Sequence, residues 1–285
     1  MSVGVEDRIL LRAMNKGDLP SVVELSMEQS WPHREEDWDL LLETGEGIVL
    51  EREGRIVGSA LAWRYGQDHA SLGLVIVQEE ERGKGFGRRM LEEMLERLRG
   101  RSVFLNATED GLGLYRKMGF VEIGRIVQHQ GMAPMMPLAE VVRNQRVRPL
   151  GGADGDLPAL YSRAGGVDRS ALLETLSANG STVVLERDYE AVGFALMRRF
   201  GHGRLIGPVV APDLKGAQTL ATHWLGSNAG AFCRIDAVDG TGFSEWLTEV
   251  GLPPVGSVTT MVRGPFTGGS GPAKVFGISL QAYGG

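Results

Sequence analysis

The stretch Ser71-Leu72-Gly73-Leu74-Val75-Ile76-Val77 leads through Gln78-Glu79-Glu80-Glu81 into Arg82-Gly83-Lys84-Gly85-Phe86-Gly87-Arg88-Arg89. Its apolar run predicts a buried strand, and the glycines predict a turn. Apolar residues at 3–4 spacing over residues 90–98 predict an amphipathic helix after that turn. Glycines let the backbone approach a ligand, and a helix N-terminus offers free N–H groups and a positive dipole end. This arrangement predicts an anion site.

The residues of the turn restrict which anion it is predicted to bind. A Walker loop needs Gly-x-x-x-x-Gly-Lys-Ser/Thr, and no such string occurs in the chain. A dinucleotide fingerprint needs a third glycine, where the sequence has Arg88 or Met90. The pattern that does occur is Arg-x-x-Gly-x-Gly, formed by Arg82, Gly85 and Gly87.

The sequence resembles the GNAT acetyltransferase superfamily, in which Arg-x-x-Gly-x-Gly binds the pyrophosphate of acetyl-CoA. The resemblance extends to Tyr115-x-x-x-Gly119-Phe120 and covers nearly all of residues 8–130. It implies acetyl-CoA as the acetyl donor, no metal, and acetyl transfer to an amine. It also implies a group of cofactor-binding residues: Val75, Ile76, Val77, Arg82, Gly83, Lys84, Gly85, Phe86, Gly87, Arg88 and Asn106.

Acetyl transfer needs a polarised carbonyl, a neutral amine and protonation of the departing thiolate. By the resemblance, backbone N–H groups near Val75 and Val77 polarise the carbonyl, and Tyr115 is the catalytic acid. A free tyrosine has a pKa near ~10, so its hydroxyl can donate a proton at neutral pH. Tyr115 can also be read as a helix tyrosine packed on the sheet.

The general base stays open. Glu79–Glu81 lie beside the turn, although three successive glutamates also suit a solvated rim. His33 lies between the first two predicted helices, which border the acceptor pocket in GNAT enzymes, and histidine suits base chemistry near neutral pH. Trp31, His33 and Asp37 are the predicted acceptor-binding residues, with Asp37 attracting a cationic amine. The alternative is helix capping with core tryptophans.

An internal repeat sets the domain organisation. Ile48–Arg52 matches Val183–Arg187 after a shift of 135 residues, and Arg64-Tyr65-Gly66 matches Arg199-Phe200-Gly201. The halves also start alike, with Gly17-Asp18-Leu19-Pro20 echoed by Gly155-Asp156-Leu157-Pro158. Each aspartate before Leu-Pro predicts a carboxylate that caps a helix.

The pattern of strands and helices predicts a mixed α/β fold with two tandem GNAT-like domains, each a central mixed sheet flanked by helices. Residues 1–134 form the domain with the intact motif, 135–147 the linker and 148–285 the second domain. The segment Val275–Tyr283 alternates like a strand and is expected to pair across the domain boundary.

The second domain lacks the signature residues. The shift that aligns the halves places Ala217, Leu220 and Thr222 at the motif positions. Aligning Gly119 on Gly251 places Leu247 where the first half has Tyr115. The second domain is therefore predicted to leave acetyl-CoA unbound and to shape the acceptor site or support the first domain.

The composition argues against several other classes of protein. The 285 residues carry a formal net charge of −6, which gives no basic footprint for nucleic acid. No apolar run approaches the ~20 residues of a membrane helix, and no secretory signal is visible, so a cytoplasmic location is expected. The single cysteine forms no internal disulfide.

The predicted function is acetyl transfer to a primary amine of a small molecule or peptide. A protein N-acetyltransferase and a non-catalytic acyl-CoA-responsive module are the alternatives. The sequence does not fix the acceptor or the oligomeric state.

Overall fold

The first half alternates strands and helices as its hydrophobic pattern predicts. The computed structural model describes residues 9–137, 144–152 and 154–284. The elements of the first half are β1 (Ile9–Ala13), α1 (Leu19–Glu28), α2 (Glu35–Glu43), β2 (Glu46–Arg52), β3 (Arg55–Tyr65), β4 (His69–Val77), α3 (Phe86–Arg97), β5 (Ser102–Ala107), α4 (Glu109–Lys117) and β6 (Val121–Met132).

The second half repeats this order and adds a short strand. Its elements are β7 (Gln145–Pro149), α5 (Leu157–Gly165), α6 (Ser170–Ala178), β8 (Ser181–Arg187), β9 (Glu190–Phe200), β10 (Gly203–Ala211), α7 (Leu214–Ser227), β11 (Phe232–Val238), α8 (Phe243–Glu249), β12 (Pro254–Arg263) and β13 (Lys274–Gly277). Short 3₁₀ turns span Lys16–Asp18, Glu79–Glu81 and Gln281–Tyr283. β7 begins inside the predicted linker.

The same arrangement of salt bridges occurs in both halves and confirms the repeat. Arg12 binds Asp18 at 2.8 Å and Glu51 at 2.9 Å in the first half. In the second half Arg148 binds Asp154 and Glu186, both at 2.6 Å.

The predicted capping by Asp18 and Asp156 is wrong, because neither side chain makes a cap hydrogen bond to the helix that follows. Asp18 instead accepts from Arg12 and from the amide of Asn15, which fixes the strand-to-helix connection.

The sheet is continuous through both halves because the halves exchange strands. Its order is β1-β2-β3-β4-β5-β12-β6-β11-β13-β10-β9-β8-β7 over the described residues. β12, from the second half, pairs antiparallel with β5, and β6, from the first half, pairs antiparallel with β11. β6 and β12 also pair with each other. Each half is thus completed by the other's strand.

The apolar core follows this exchange. One cluster of buried side chains spans both halves and includes Trp38, Trp63, Tyr161, Phe194 and Tyr283. Two of the other clusters lie on the opposite faces, against α3 and against α7. The halves therefore share buried apolar surface, which is the main favourable term in folding.

The C-terminal segment departs from the predicted strand over Val275–Tyr283. β13 ends at Gly277 and pairs with β10 and β11 inside the second half. The chain then crosses to the first half without joining a ladder. Side chains bond its backbone there: Asn106 Nδ2 donates to Gln281 O at 2.9 Å, and Tyr65 Oη donates to Tyr283 O at 2.7 Å.

A fragment that ends at Gln145 is expected not to fold, because it lacks β12 and leaves two long strand edges unpaired. Co-expressed fragments 1–142 and 143–285 should instead purify together and melt cooperatively, which circular dichroism and gel filtration would measure. A monomeric fragment 1–145 with a cooperative melt of its own would contradict the exchange.

Candidate active site

The glycine turn between β4 and α3 has the backbone that a ligand cradle needs. Gly83 and Gly85 have φ values of +76° and +82°, a region that side-chain-bearing residues rarely adopt. A Cβ at either position would meet no atom within 4 Å, so the space beside the turn is open. Gly85 is the N-cap of α3 and provides no side-chain cap. The first amides of α3 can therefore bind an anion.

Side chains around the turn hold its shape. Arg82 donates to Gln29 Oε1 at 2.6 Å, and Lys84 Nζ lies 3.0 Å from Glu81 Oε2. Glu81 also accepts from Arg52 at 2.7 Å. Hydrogen bonds from Lys84 and Arg52 lower the pKa of the Glu81 carboxyl. Glu81 therefore braces the turn as a carboxylate, and this favours a structural role over that of a general base.

β4 separates from β5 close to the glycine turn. The parallel pairing with β5 ends at Ser71 and Phe104. Its pairing with β3 shifts register around Leu74, which has a φ of +51°. Such a bulge bends a strand and interrupts its ladder. The edge that carries the predicted residues Val75, Ile76 and Val77 is thereby freed from β5.

Tyr115 lies on α4, which packs close to the start of α3. A Cβ on Gly87 would lie 3.5 Å from Leu114 and 3.7 Å from Val77, so the three elements meet there. The Tyr115 ring is half-buried and packs on Phe120, with centroids 5.9 Å apart. Burial raises the pKa of Tyr115 to about 12. The phenol is therefore protonated at neutral pH and can donate.

Asn106 contacts other parts of the chain. Its Nδ2 donates to Gln281 O, and its Oδ1 accepts from Thr260 Oγ1 at 2.8 Å. The amide thus binds the C-terminal segment to β5 and β12. Its contact with the cofactor stays a prediction.

A cavity of about 180 Å³ lies on the α1 side of the bulge, where the two halves meet. The bulge residue Leu74 is in its wall. The cavity is lined by Ser30, Trp31, Pro32, His33, Leu74, Gln128, Gln130, His202, Arg234, Leu280, Gln281 and Ala282. The predicted acceptor residues Trp31 and His33 therefore come together here, beside the freed edge of β4.

His33 faces this cavity without a polar partner. It is 8% exposed, and neither ring nitrogen makes a hydrogen bond to a described residue. Its ring packs edge-on against Phe200, with centroids 5.1 Å apart. Burial, and then the charge of Arg234, lower the pKa of His33 to about 3. The imidazole is therefore neutral at physiological pH.

Asp37 has a different position. Its carboxylate accepts three hydrogen bonds from Arg34 and one, at 2.9 Å, from the amide of Gly201. The residue is 3% exposed and does not line the cavity. These hydrogen bonds link α2 to the β9–β10 turn of the second half. They do not support the prediction that Asp37 attracts an amine.

The sequence reasoning missed the cavity residues that come from β6, β11 and the C-terminal segment. One signal was present, since Arg234 and Asp236 lie two residues apart in the apolar strand β11 and so share a face. Arginine and aspartate side chains are almost never fully buried unless they are paired.

Comparisons with known proteins agree with this geometry. The model of the acetyltransferase (GNAT) family matches residues 13–120, and that of an acetyltransferase (GNAT) domain matches residues 159–272. The chain is 26% identical over 253 residues to the uncharacterized N-acetyltransferase YitH of Bacillus subtilis (strain 168), covering 85% of this chain and 89% of that protein.

The chain is a tandem GNAT acetyltransferase.

Two solved structures have a similar fold. A candidate acetyltransferase from Pyrococcus horikoshii superposes with a TM-score of 0.81 at 21% identity, covering 100% of this chain and 99% of that one. A tandem GNAT protein from the clavulanic acid biosynthesis pathway gives a TM-score of 0.61 at 14% identity, covering 91% and 100%.

In the second half of this tandem GNAT acetyltransferase, a strand of the chain lies between the two strands that correspond to β4 and β5. β10 and β11 pair in parallel only at Arg204–Cys233 and Leu205–Arg234. Beyond these pairs β13 lies between them, with Gly277 opposite both Val209 and Ala237. The chain's own strand thus fills the opening.

The helix that follows β10 also differs from α3. Asp213 caps α7, and its Oδ1 accepts from the Gly216 amide at 2.7 Å. Arg187 binds the other carboxylate oxygen at 3.3 Å. A carboxylate of the acetyltransferase itself therefore occupies the helix end where the first half offers free amides.

Two kinds of feature are absent from the residues that the structure describes. Among residues 9–137, 144–152 and 154–284, no helix is both long and apolar enough to cross a membrane. Over those same ranges, no group of three or more His, Cys, Asp or Glu residues is placed to hold a metal ion.

Replacing His33 by Gln should flatten the pH dependence of stability. In the wild-type acetyltransferase the unfolded imidazole binds a proton with a pKa near 6.5 and the folded one only near 3, so stability falls as the pH drops below 6.5. From pH 8 to pH 5 the wild type should lose about 2 kcal/mol more than His33→Gln. Urea unfolding would measure this, with His202→Gln as the control. Parallel curves for wild type and His33→Gln would refute the assignment.

Proposed function

We propose that the first half binds acetyl-CoA on the glycine turn and transfers its acetyl group to a primary amine of a small molecule or peptide in the cavity. The observation that carries the proposal is the turn itself. Gly83 and Gly85 leave open space where side chains would stand, and the uncapped start of α3 lies directly behind them. These features fit a pyrophosphate, which needs close backbone approach and several amide donors.

Residues on the two sides of the β4 edge that is free of β5 have different roles in the transfer. Acetyl-CoA, when bound, supplies an activated acetyl thioester. Amides near Val75 and Val77 are suited to stabilise the negative charge that develops on the carbonyl oxygen. Tyr115 lies on the α3 side and holds a proton for the departing sulfur. Trp31 and His33 lie on the other side and receive the amine.

His33 contributes a neutral aromatic ring to the acceptor side, because both of its ring nitrogens are buried. Its lowered pKa makes it a weak proton acceptor, since burial and Arg234 both oppose the imidazolium. The same surroundings oppose an ammonium and favour the neutral amine that attack requires. A strong base is therefore unnecessary at this position.

The cavity favours a small acceptor over a folded protein. Its volume of about 180 Å³ is below the ~300–1,000 Å³ typical of pockets for drug-sized ligands. A lysine side chain on a folded protein would bring that protein's backbone against the walls of the cavity, which come from both halves of this chain.

Calorimetry should detect one acetyl-CoA per chain, and Gly85→Val should weaken that binding at least about tenfold. A valine at a φ of +82° is strained, and its side chain fills the cradle. Gly256→Val is the matched control, because a Cβ there also meets no atom within 4 Å and the φ is not positive. A second binding site, or unchanged affinity in a folded Gly85→Val protein, would contradict the proposal.

Tyr115→Phe should lower kcat by about 10²–10⁴-fold, the usual contribution of a general acid. The dissociation constant of acetyl-CoA should change less than about threefold, because the phenol acts mainly in the transition state. Single-turnover kinetics would measure the chemical step, with Tyr189→Phe as the control because Tyr189 is 92% exposed. A rate within about threefold of wild type would assign Tyr115 a packing role.

A further inference from the structure

The polar wall of the cavity is a chain of hydrogen bonds that runs across the seam between the halves. Gln128 Nε2 donates to Gln130 Oε1 at 2.9 Å, and Gln281 Nε2 donates to Gln128 Oε1 at 3.2 Å. Gln281 Nε2 also lies 3.4 Å from Asp236 Oδ1. Arg234 completes the chain with two bonds of 2.9 Å to Asp236.

Strand exchange is what builds this wall. β6 and β11 pair with Gln130 opposite Arg234 and with Gln128 opposite Asp236. Directly opposed residues in a ladder place their side chains on the same face of the sheet. The four side chains therefore form one surface, although they come from different halves of the sequence.

The side-chain groups at the two ends of this chain of hydrogen bonds offer donor nitrogens to a ligand. Gln130 Oε1 is occupied by Gln128, which leaves its Nε2 for a ligand. Arg234 uses Nε and Nη2 on Asp236, and its Nη1 makes no hydrogen bond to any described residue. Neither nitrogen is among the buried, unpartnered atoms of the described chain. Both atoms therefore suit a ligand that presents acceptor oxygens.

The charges around the cavity do not cancel. Arg34 is paired with Asp37, and Arg234 is paired with Asp236. Arg198 is a third guanidinium, only 4% exposed, whose one hydrogen bond to a described residue is a 3.5 Å contact with Arg199 O. Arg198 and Arg234 lie over the Phe200 ring, at 5.1 Å and 5.5 Å, and His33 packs on that same ring.

A positive surplus in a buried site favours an anion. No aspartate or glutamate is among the described residues that line the cavity, and the carboxylate of the polar wall, Asp236, is already bonded to Arg234, so it is not left to compensate the ammonium of a polyamine or a lysine side chain.

We propose that the acceptor is a small amine that also carries a carboxylate, and that Arg234, with Gln130, binds that carboxylate and determines specificity. The inference rests on the proposed acetyl transfer and adds the substrate class. A hydrogen bond between a guanidinium and a carboxylate joins two charged groups and is stronger than one to a neutral amide.

The test compares amines that differ only in this group. Glycine, β-alanine, 4-aminobutyrate, aspartate and glutamate are each paired with their carboxamides, and putrescine, spermidine and glucosamine are added. Acetylation is followed by thiol release, and equilibrium binding is measured by titrating each amine into the protein–CoA complex.

Wild type should prefer at least one acid over its carboxamide by about tenfold or more in kcat/KM, and should bind that acid in the CoA complex. In Arg234→Gln combined with Asp236→Asn, which removes both charges together, the preference should fall below about twofold. Arg99→Gln, which removes an exposed charge just after α3, is the control that should keep the preference.

Equal use of acid and amide, retention of the preference in the double variant, or acetylation of the polyamines alone would overturn the inference. So would the failure of every acid to bind or react while acetyl-CoA still binds. If acetyl-CoA itself does not bind to the wild type, the proposed function fails first, and calorimetry separates that outcome from the others.

Discussion

The exchange of β6 and β12 is the constraint on which the rest of the molecule depends. Without it each half would end in an unpaired edge, and with it the two sheets become one. The exchange also brings Gln128 and Gln130, which follow the first half's helices in sequence, into register with Arg234 and Asp236 of the second half. The cavity is thus a property of the seam, and neither half has it alone.

Features that depend on neighbouring residues could be predicted from the sequence. The ends of β3, from Arg55 to Tyr65, follow from the apolar pattern and its flanking turns. The left-handed Gly83 and Gly85 follow from a turn that must bring backbone close to a ligand. The repeat was visible because Ile48–Arg52 and Val183–Arg187 keep a core strand, and a core strand tolerates few substitutions.

Features that depend on distant partners could not be predicted. Nothing in the spacing around Val258–Arg263 says which strand it pairs with, because any antiparallel edge offers the same donors and acceptors. Asp18 precedes a helix, as a capping residue would, yet its carboxylate is bonded to Arg12 of β1, which is also bonded to the distant Glu51. Asn106 lies at the strand position expected to contact a cofactor, yet it binds Gln281, which is far away in sequence.

One C-terminal segment links the two clefts. Its β13 part lies between β10 and β11, and its continuation, Leu280–Ala282, lines the cavity of the first half. A cofactor between β10 and β11 would require β13 to leave, and that movement would pull Leu280–Ala282 from the cavity. The β10–β11 cleft and the proposed acceptor cavity are therefore coupled through the same backbone. The proposal of a single acetyl-CoA site agrees with this coupling, because the wall of the proposed acceptor site is anchored where a second cofactor would lie.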